Sequence, residues 1–229
     1  MKKEEFFSII HKNLIVSCQA LDNEPLHSSM IMAKMAQAAK EGGAVAIRCN
    51  SAVDCEAIQK QTGLPVIALL KRNYPDSEVF ITATLKEVKE LLTVKPDVIA
   101  LDATIRRRPN GETLEELVSY IHKVSKTLVM ADIATIKDAE YAIQCGVDMI
   151  STTLSGYTAD SPKLEGPDFN LVEQLSKTAS VPVIAEGRIN TPEQARKMLE
   201  LGAYSIVVGS AITRPQLITK NFAEGIVRV

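Results

Sequence analysis

Short apolar runs alternate with longer stretches of helical period along the whole chain. The runs are Leu14 to Ala20, Ala44 to Asn50, Pro65 to Lys71, Asp97 to Thr104, Leu128 to Ala134, Met149 to Ser155, Pro182 to Arg188 and Ser205 to Ala211. Most begin apolar, and each carries polar residues toward its carboxyl end. Between them lie segments of helical character: Ser28 to Lys40, Ser51 to Thr62, Lys86 to Val94, Thr113 to Lys126, Ile136 to Cys145, Asn170 to Thr178, Thr191 to Leu201 and Pro215 onward. That order predicts parallel strands joined by helical crossovers. Eight such units, with no Gly-x-Gly-x-x-Gly turn and no long linker, predict a single domain over residues 1–229. Its class is α/β and its architecture a single (β/α)₈ TIM barrel rather than an open doubly wound sheet.

Local signals refine the pattern. Thr191-Pro192-Glu193-Gln194 offers an N-cap, a proline at the first helical position and a side chain able to close a capping box. The stretch from Tyr74 to Thr84, which contains VFITAT, does not fit the alternation. It reads as an extra strand pair or a lid after the third strand.

Composition changes the picture in two places. Apolar residues make up 46% of the chain and aromatics only 4%, without a tryptophan, so the core is built from Ile, Val, Leu, Ala and Met. That palette suits strands buried on both faces. The formal charge of −2 supplies no basic stripe for a nucleic-acid backbone and no polybasic membrane segment. No apolar stretch approaches the ~20 residues of a spanning helix. The expectation is a cytoplasmic protein with no nucleic-acid or membrane partner, assembling as a homodimer. Cys18, Cys49, Cys55 and Cys145 are scattered without a C-x-x-C pair, so neither structural zinc nor a disulfide framework is expected.

In a barrel of this kind the site is built at the carboxyl ends of the strands. Those ends carry Gln19, Arg48, Lys71, Asp102, Asp132, Thr153, Glu186 and Gly209. Lys71 follows the run VIALL and points into the mouth, where burial and cationic neighbours such as Arg48 and Arg72 lower an amine's pKa. Glu186 is either a catalytic carboxylate or the partner of Lys71 or Arg188 in an ion pair. Asp102 and Asp132 either meet a ligand or cap the next helix. After strands seven and eight, Gly187-Arg188 and Gly209-Ser210, with Arg214 beyond, form an expected phosphate site. The cluster Arg106 to Arg108 is an anion contact or a solvated loop. His11, His27 and His122 fall in helices or a loop, so no histidine base and no metal site is expected.

The segments LPVIALLKRNYPDSEVFITAT, ALDATIRRRP, VMADIAT, STTLSGYT, VIAEGRINTPEQA and VVGSAITRP occur in that order along nearly the whole chain. In them the sequence resembles the N-acetylmannosamine-6-phosphate 2-epimerases of bacterial sialic acid catabolism. The resemblance implies a cofactor-independent barrel acting on an amino sugar phosphate, with Lys71 as acid/base at C2 and Glu186 assisting. It also implies Arg48 and Asp132 at the sugar, with Gln19, Thr153 and Tyr157 among the substrate contacts. Asn73 stands where the family commonly has Asp, and Ile105-Arg106-Arg107-Arg108 departs from its usual arginine spacing. A Schiff-base aldolase and a sugar-phosphate sensor are the rival readings of the same residues.

Overall fold

The computed structural model describes residues 1–227. Its strands are β1 (Leu14–Cys18), β2 (Ala46–Asn50), β3 (Val66–Leu69), β4 (Val98–Asp102), β5 (Leu128–Asp132), β6 (Met149–Ser151), β7 (Val183–Glu186) and β8 (Ser205–Val208). They pair in sequence order, all parallel, and β8 returns to β1 to close the barrel. The helices are α1 (Lys3–Ile10), α2 (Ser29–Glu41), α3 (Ala52–Thr62), α4 (Leu85–Leu92), α5 (Leu114–Val124), α6 (Ile136–Gln144), α7 (Phe169–Thr178), α8 (Pro192–Glu200), α9 (Ser210–Thr213) and α10 (Pro215–Val227).

Strand periodicity sorts the side chains into an inner and an outer set. The inner set packs Ile15, Ala46, Ile67, Leu69, Val98, Ala100, Leu128, Met130, Met149, Ile184 and Val207 in the barrel's lower layers. Phe6 and Ile10 of α1 belong to the same cluster, so this helix plugs the amino-terminal end. The outer set, including Val16, Ile47, Ala68, Ile99, Val129 and Ile150, packs against the surrounding helices. All four cysteines are free thiols, and only Cys145 is not buried.

Helix starts follow the sequence. Thr84, Thr113 and Thr135 each accept from a backbone N–H of the first turn and close a capping box with Glu87, Glu116 and Asp138. At α8, Thr191 caps Gln194, but Gln194 Oε1 accepts from Asn190 N–H at 2.7 Å instead of returning to Thr191. That bond ties down the turn leaving β7.

Seven of the eight expected strands stop early, and only β2 runs to its expected end at Asn50. β6 gives way to a 3₁₀ turn at Thr152–Leu154, and β8 to the short α9. The segment from Tyr74 to Thr84 is a return loop that makes antiparallel bridges rather than a separate strand pair. Arg72 N–H bonds Phe80 O, Thr82 N–H bonds Leu70 O, and Asp102 N–H bonds Ile81 O. It therefore wedges between the ends of β3 and β4.

α10 departs from the usual packing of the eighth helix. None of its described residues is buried, and Phe222 is 72% exposed. Beside it, an apolar groove of about 540 Å³ runs over β8 and β1, lined by Leu14, Ala195, Leu199, Ile206, Val208 and Ile212.

Candidate active site

Two-residue steps along each strand carry the chain from the packed interior into the mouth. Ile15 leads to Ser17 and Gln19, Ala46 to Arg48, Leu69 to Lys71, Met130 to Asp132, Ile184 to Glu186, and Val207 to Gly209. The apolar member fills the core and the polar member faces upward. A cavity of about 460 Å³ results, and its wall includes Gln19, Arg48, Lys71, Thr153, Tyr157, Glu186, Gly187, Arg188, Gly209, Ser210 and Arg214. Phe80 and Ile81 of the return loop line it as well.

Lys71 is held by its backbone: its N–H donates to Asn50 Oδ1 at 2.9 Å, and it bridges Ile81 on the return loop. Its amine is pulled down to about 8, first by burial and then by the charges of Arg48 and Arg214, against the opposing pull of Glu186 and Asp132. Arg72, expected to contribute, does not. Its guanidinium is bonded to Glu87 and, at 3.0 Å, to Glu90 on α4. The parity of the strand turns adjacent residues to opposite faces, which is why 71 enters the mouth and 72 leaves it.

Arg48 is 1% exposed and sits between two carboxylates. Its Nη2 donates to Asp132 Oδ2 at 2.5 Å, and its Nη1 to Asp132 Oδ1 at 3.0 Å and to Glu186 Oε2. Burial disfavours its charge, but Asp132 and Glu186 more than compensate and hold its pKa above the ordinary arginine value. Glu186 is pushed up, first by burial, with Asp132 adding to the rise while Arg48 and Thr153 oppose it. Thr153 Oγ1 lies 2.7 Å from Asp132 Oδ1 and 3.0 Å from Glu186 Oε2, with one proton to give. Glu186 thus pairs with Arg48, not with Lys71 or Arg188.

Asp132 was expected at the sugar, and here the structure differs. Its side chain is fully buried behind Arg48 and forms no part of the cavity wall. Position 132 lies one layer below the rim, so its oxygens are spent on Arg48 and Thr153. Asp102 is likewise withdrawn, bonded to Thr104 and to Arg106 Nη2 at 2.7 Å. Of the arginine cluster, Arg108 is buried and donates to Ala83 O and Asp102 O, a structural clamp rather than an anion contact.

The rim beyond β7 and β8 gathers Gly187, Arg188, Gly209, Ser210 and Arg214. Gly187 has φ +111° and Arg188 +54°, so the chain turns through two successive left-handed residues. Arg188 donates through Nε to Gly166 O at 2.8 Å and through Nη1 to Ser155 O at 2.5 Å, and it stands over the Tyr157 ring at 5.4 Å. Arg214 is gripped by Glu24 and reaches Ser210 Oγ at 2.9 Å. Glu24, Asn190 and Ser17 are absent from the strand-end reading. Glu24 lies in a loop, and nothing in the local sequence marks its partner.

Two buried polar atoms at the cavity have no hydrogen-bond partner among the described residues: Gln19 Oε1 and Arg48 Nε. Buried polar groups are seldom left so, and Gln19 Oε1 offers a ligand an acceptor.

The model of a protein family described as "Putative N-acetylmannosamine-6-phosphate epimerase" matches residues 32–228. A relative from Clostridioides difficile, named "Putative N-acetylmannosamine-6-phosphate 2-epimerase", is 60% identical over 93% of this chain and 95% of its own. One of the same name from Clostridium perfringens is 56% identical over 94% of this chain and 97% of its own. A solved structure of the N-acetylmannosamine-6-phosphate 2-epimerase from Clostridium perfringens superposes with a TM-score of 0.93 at 55% identity, covering 96% of this chain and 95% of that one.

Proposed function

Because this chain belongs to the N-acetylmannosamine-6-phosphate epimerase family, we propose that Lys71 is its base at C2, with Glu186 as the group of opposite sense. The reaction is the interconversion of N-acetylmannosamine 6-phosphate and N-acetylglucosamine 6-phosphate, a step of sialic acid catabolism. Inverting C2 means breaking and remaking its C–H bond. That proton is acidic only when C1 is an aldehyde, so the electron pair passes into an enolate that needs cations nearby. C2 returns at the oxidation state it left, so the step calls for no redox group.

The observation that carries the assignment is the opposed setting of Lys71 and Glu186. A lysine brought down to about 8 is partly a free amine near neutral pH, while burial pushes the Glu186 carboxyl upward against the pull of Arg48. Lys71 takes the C2 proton, Glu186 protonates the other face, and the reverse reaction uses the same pair with the proton exchanged. Arg48 balances the enolate charge, and Asp132 holds Arg48 in place. Gln19, Thr153 and Tyr157 bind the sugar. Gly187, Arg188, Gly209, Ser210 and Arg214 receive the phosphate.

The test is turnover in deuterated water with Lys71→Ala and Glu186→Ala beside the parent. Deuterium at C2 of the product and a loss on the order of a thousandfold in Lys71→Ala are expected. Unlabelled product would overturn the proton-transfer reading. Substrate trapped on Lys71 by borohydride would establish a Schiff base instead.

No helix among the described residues is long and apolar enough to cross a membrane. A sugar phosphate does not cross one unaided, and on that ground the reaction belongs in the cytoplasm. Residues 1–229 act as one domain. We take the assembly to be a homodimer, because α10 lacks a groove and the groove over β8 and β1 lacks a helix. Ile218, Phe222 and Ile226 recur on one face of α10 at the spacing that buries a stripe. Each copy supplies what the other is missing, which gives a two-fold contact.

A further inference from the structure

We infer that Glu24 is a positioning residue: it locks Arg214 at the anion end of the cavity and ties that setting to the first turn of α10. The inference rests on the reading that Arg214 receives the phosphate.

Glu24 lies in the loop between β1 and α2, a segment rich in turns and largely exposed. Nearby Asp22 reaches fully into solvent, yet the Glu24 side chain is only 16% exposed. Its conformation is set from within the loop, where Leu21 N–H donates to Glu24 Oε2 at 2.7 Å. Arg214 then meets the carboxylate with a fork: Nε to Oε1 at 2.7 Å and Nη2 to Oε2 at 2.9 Å. Gln216 Nε2, one residue into α10, adds a bond to Oε1 at 3.1 Å.

The geometry of guanidinium explains what this does. Arg presents two bidentate edges, one formed by Nε and Nη2, the other by the two terminal nitrogens. Glu24 occupies the first and leaves the second facing Ser210 Oγ and the cavity. A flexible arginine is thereby turned into a fixed donor edge, so a phosphate meets it without the ordering cost of a free side chain. A carboxylate beside an anion site also repels the anion, so the pairing serves binding only if the orientation gained outweighs that repulsion. Its charge is retained: burial raises the pKa of Glu24, but the bonds from Arg214 and Leu21 and the charges of Arg214 and Lys71 bring it below the ordinary value. Glu24 also offsets part of the Arg214 charge felt at Lys71.

Glu24→Ala and Glu24→Gln are compared with Arg214→Met by steady-state kinetics across pH and by inhibition with inorganic phosphate. Both Glu24 variants are expected to raise KM and the phosphate inhibition constant together by roughly tenfold while kcat stays within about threefold. The acid limb of kcat/KM should move to lower pH, because Arg214 then acts on Lys71 unopposed. Glu24→Gln keeps the volume and serves if the alanine variant does not fold. Unchanged KM, phosphate inhibition and acid limb in a folded Glu24 variant would overturn the inference if Arg214→Met raises KM. If Arg214→Met also leaves KM and phosphate inhibition unchanged, the phosphate reading itself fails, and the inference with it.

Discussion

The guanidinium of Arg188 lies so close over Gly156 that a β-carbon on the glycine stands 2.5 Å from Nη1 and 2.9 Å from Cζ. Gly156 also has φ +83°, which a side chain tolerates poorly. Gly156→Ala should therefore displace Arg188 from Ser155 O and from the Tyr157 ring. KM is expected to rise on the order of tenfold, with a stability loss of about 1 kcal/mol. Gly63→Ala is the control. It has φ +64° at the end of α3 with nothing within 4 Å, so it carries the backbone strain without the arginine. An equal rise in KM from both variants would remove Arg188 from the argument.

Lys71, as the proposed base, should set the pH dependence. As the base it acts unprotonated, so kcat/KM should climb through an acid limb near about 8. Arg214→Met removes a cation that lowers this value and should move the limb to higher pH. Arg72→Met should leave it in place, because Arg72 faces Glu87 and Glu90. A shift in Arg72→Met alone would reverse the assignment of neighbours.

The same burial makes Lys71 costly to the fold. Its folded-state pKa lies below its unfolded value of 10.5, so below about 8 the folded chain holds a charge in poor surroundings. The penalty is fully present there and fades as pH rises toward 10.5. Lys71→Met should thus be more stable than the parent by about 1–2 kcal/mol at pH 7, after discounting for partial exposure, while losing activity. Urea unfolding at pH 7 and pH 10.5 reads both halves of this expectation.

Asp132 tests the interior of the site. Asp132→Asn leaves the buried Arg48 with Glu186 as its sole carboxylate partner, and breaking such a pair from one side costs about 3–5 kcal/mol. Asp132 also adds to the upward push on Glu186, so its loss should lower the Glu186 pKa. A variant of parental stability by urea unfolding would show that Arg48 is not held as described.

At the opposite end of the barrel, Asp148 accepts from Lys3 Nζ at 2.6 Å, from Val129 N–H at 2.8 Å, and lies 2.9 Å from His122 Nε2. Burial raises its pKa, but these three bonds and the Lys3 charge bring the net value below the ordinary one. Its stabilisation is therefore present above the unfolded value and is lost as pH falls through the folded one. Asp148→Asn should cost about 1–3 kcal/mol at pH 7, with the difference closing in acid. Thermal unfolding at pH 7 and pH 3 checks the sign.

The barrel was legible because parallel strands buried on both faces leave runs of Val, Ile, Leu and Ala that nothing else explains. Its mouth was legible because parity carries Leu69 to Lys71 and Ile184 to Glu186 on one face. Depth was not. Asp132 and Glu186 end their strands alike in sequence, yet one is sealed behind Arg48 and the other reaches the cavity, a difference set by barrel stagger. Pairings across the chain were hidden for the same reason, and neither Arg48 with two carboxylates nor Glu24 with Arg214 leaves a local trace. The plug made by α1 was missed because Phe6 and Ile10 are covered by strands still to come, not by their sequence neighbours.

The mismatch between α10 and the empty groove over β8 and β1 also bears on how the molecule is made. In the proposed dimer, where the outer layer is completed by a helix from another copy, folding would finish in a bimolecular step, after each chain has closed its own strands. Diluting a refolding mixture should then slow the last phase in proportion, and freshly synthesised chains would show bare Phe222 and Ile226 to their surroundings until they meet.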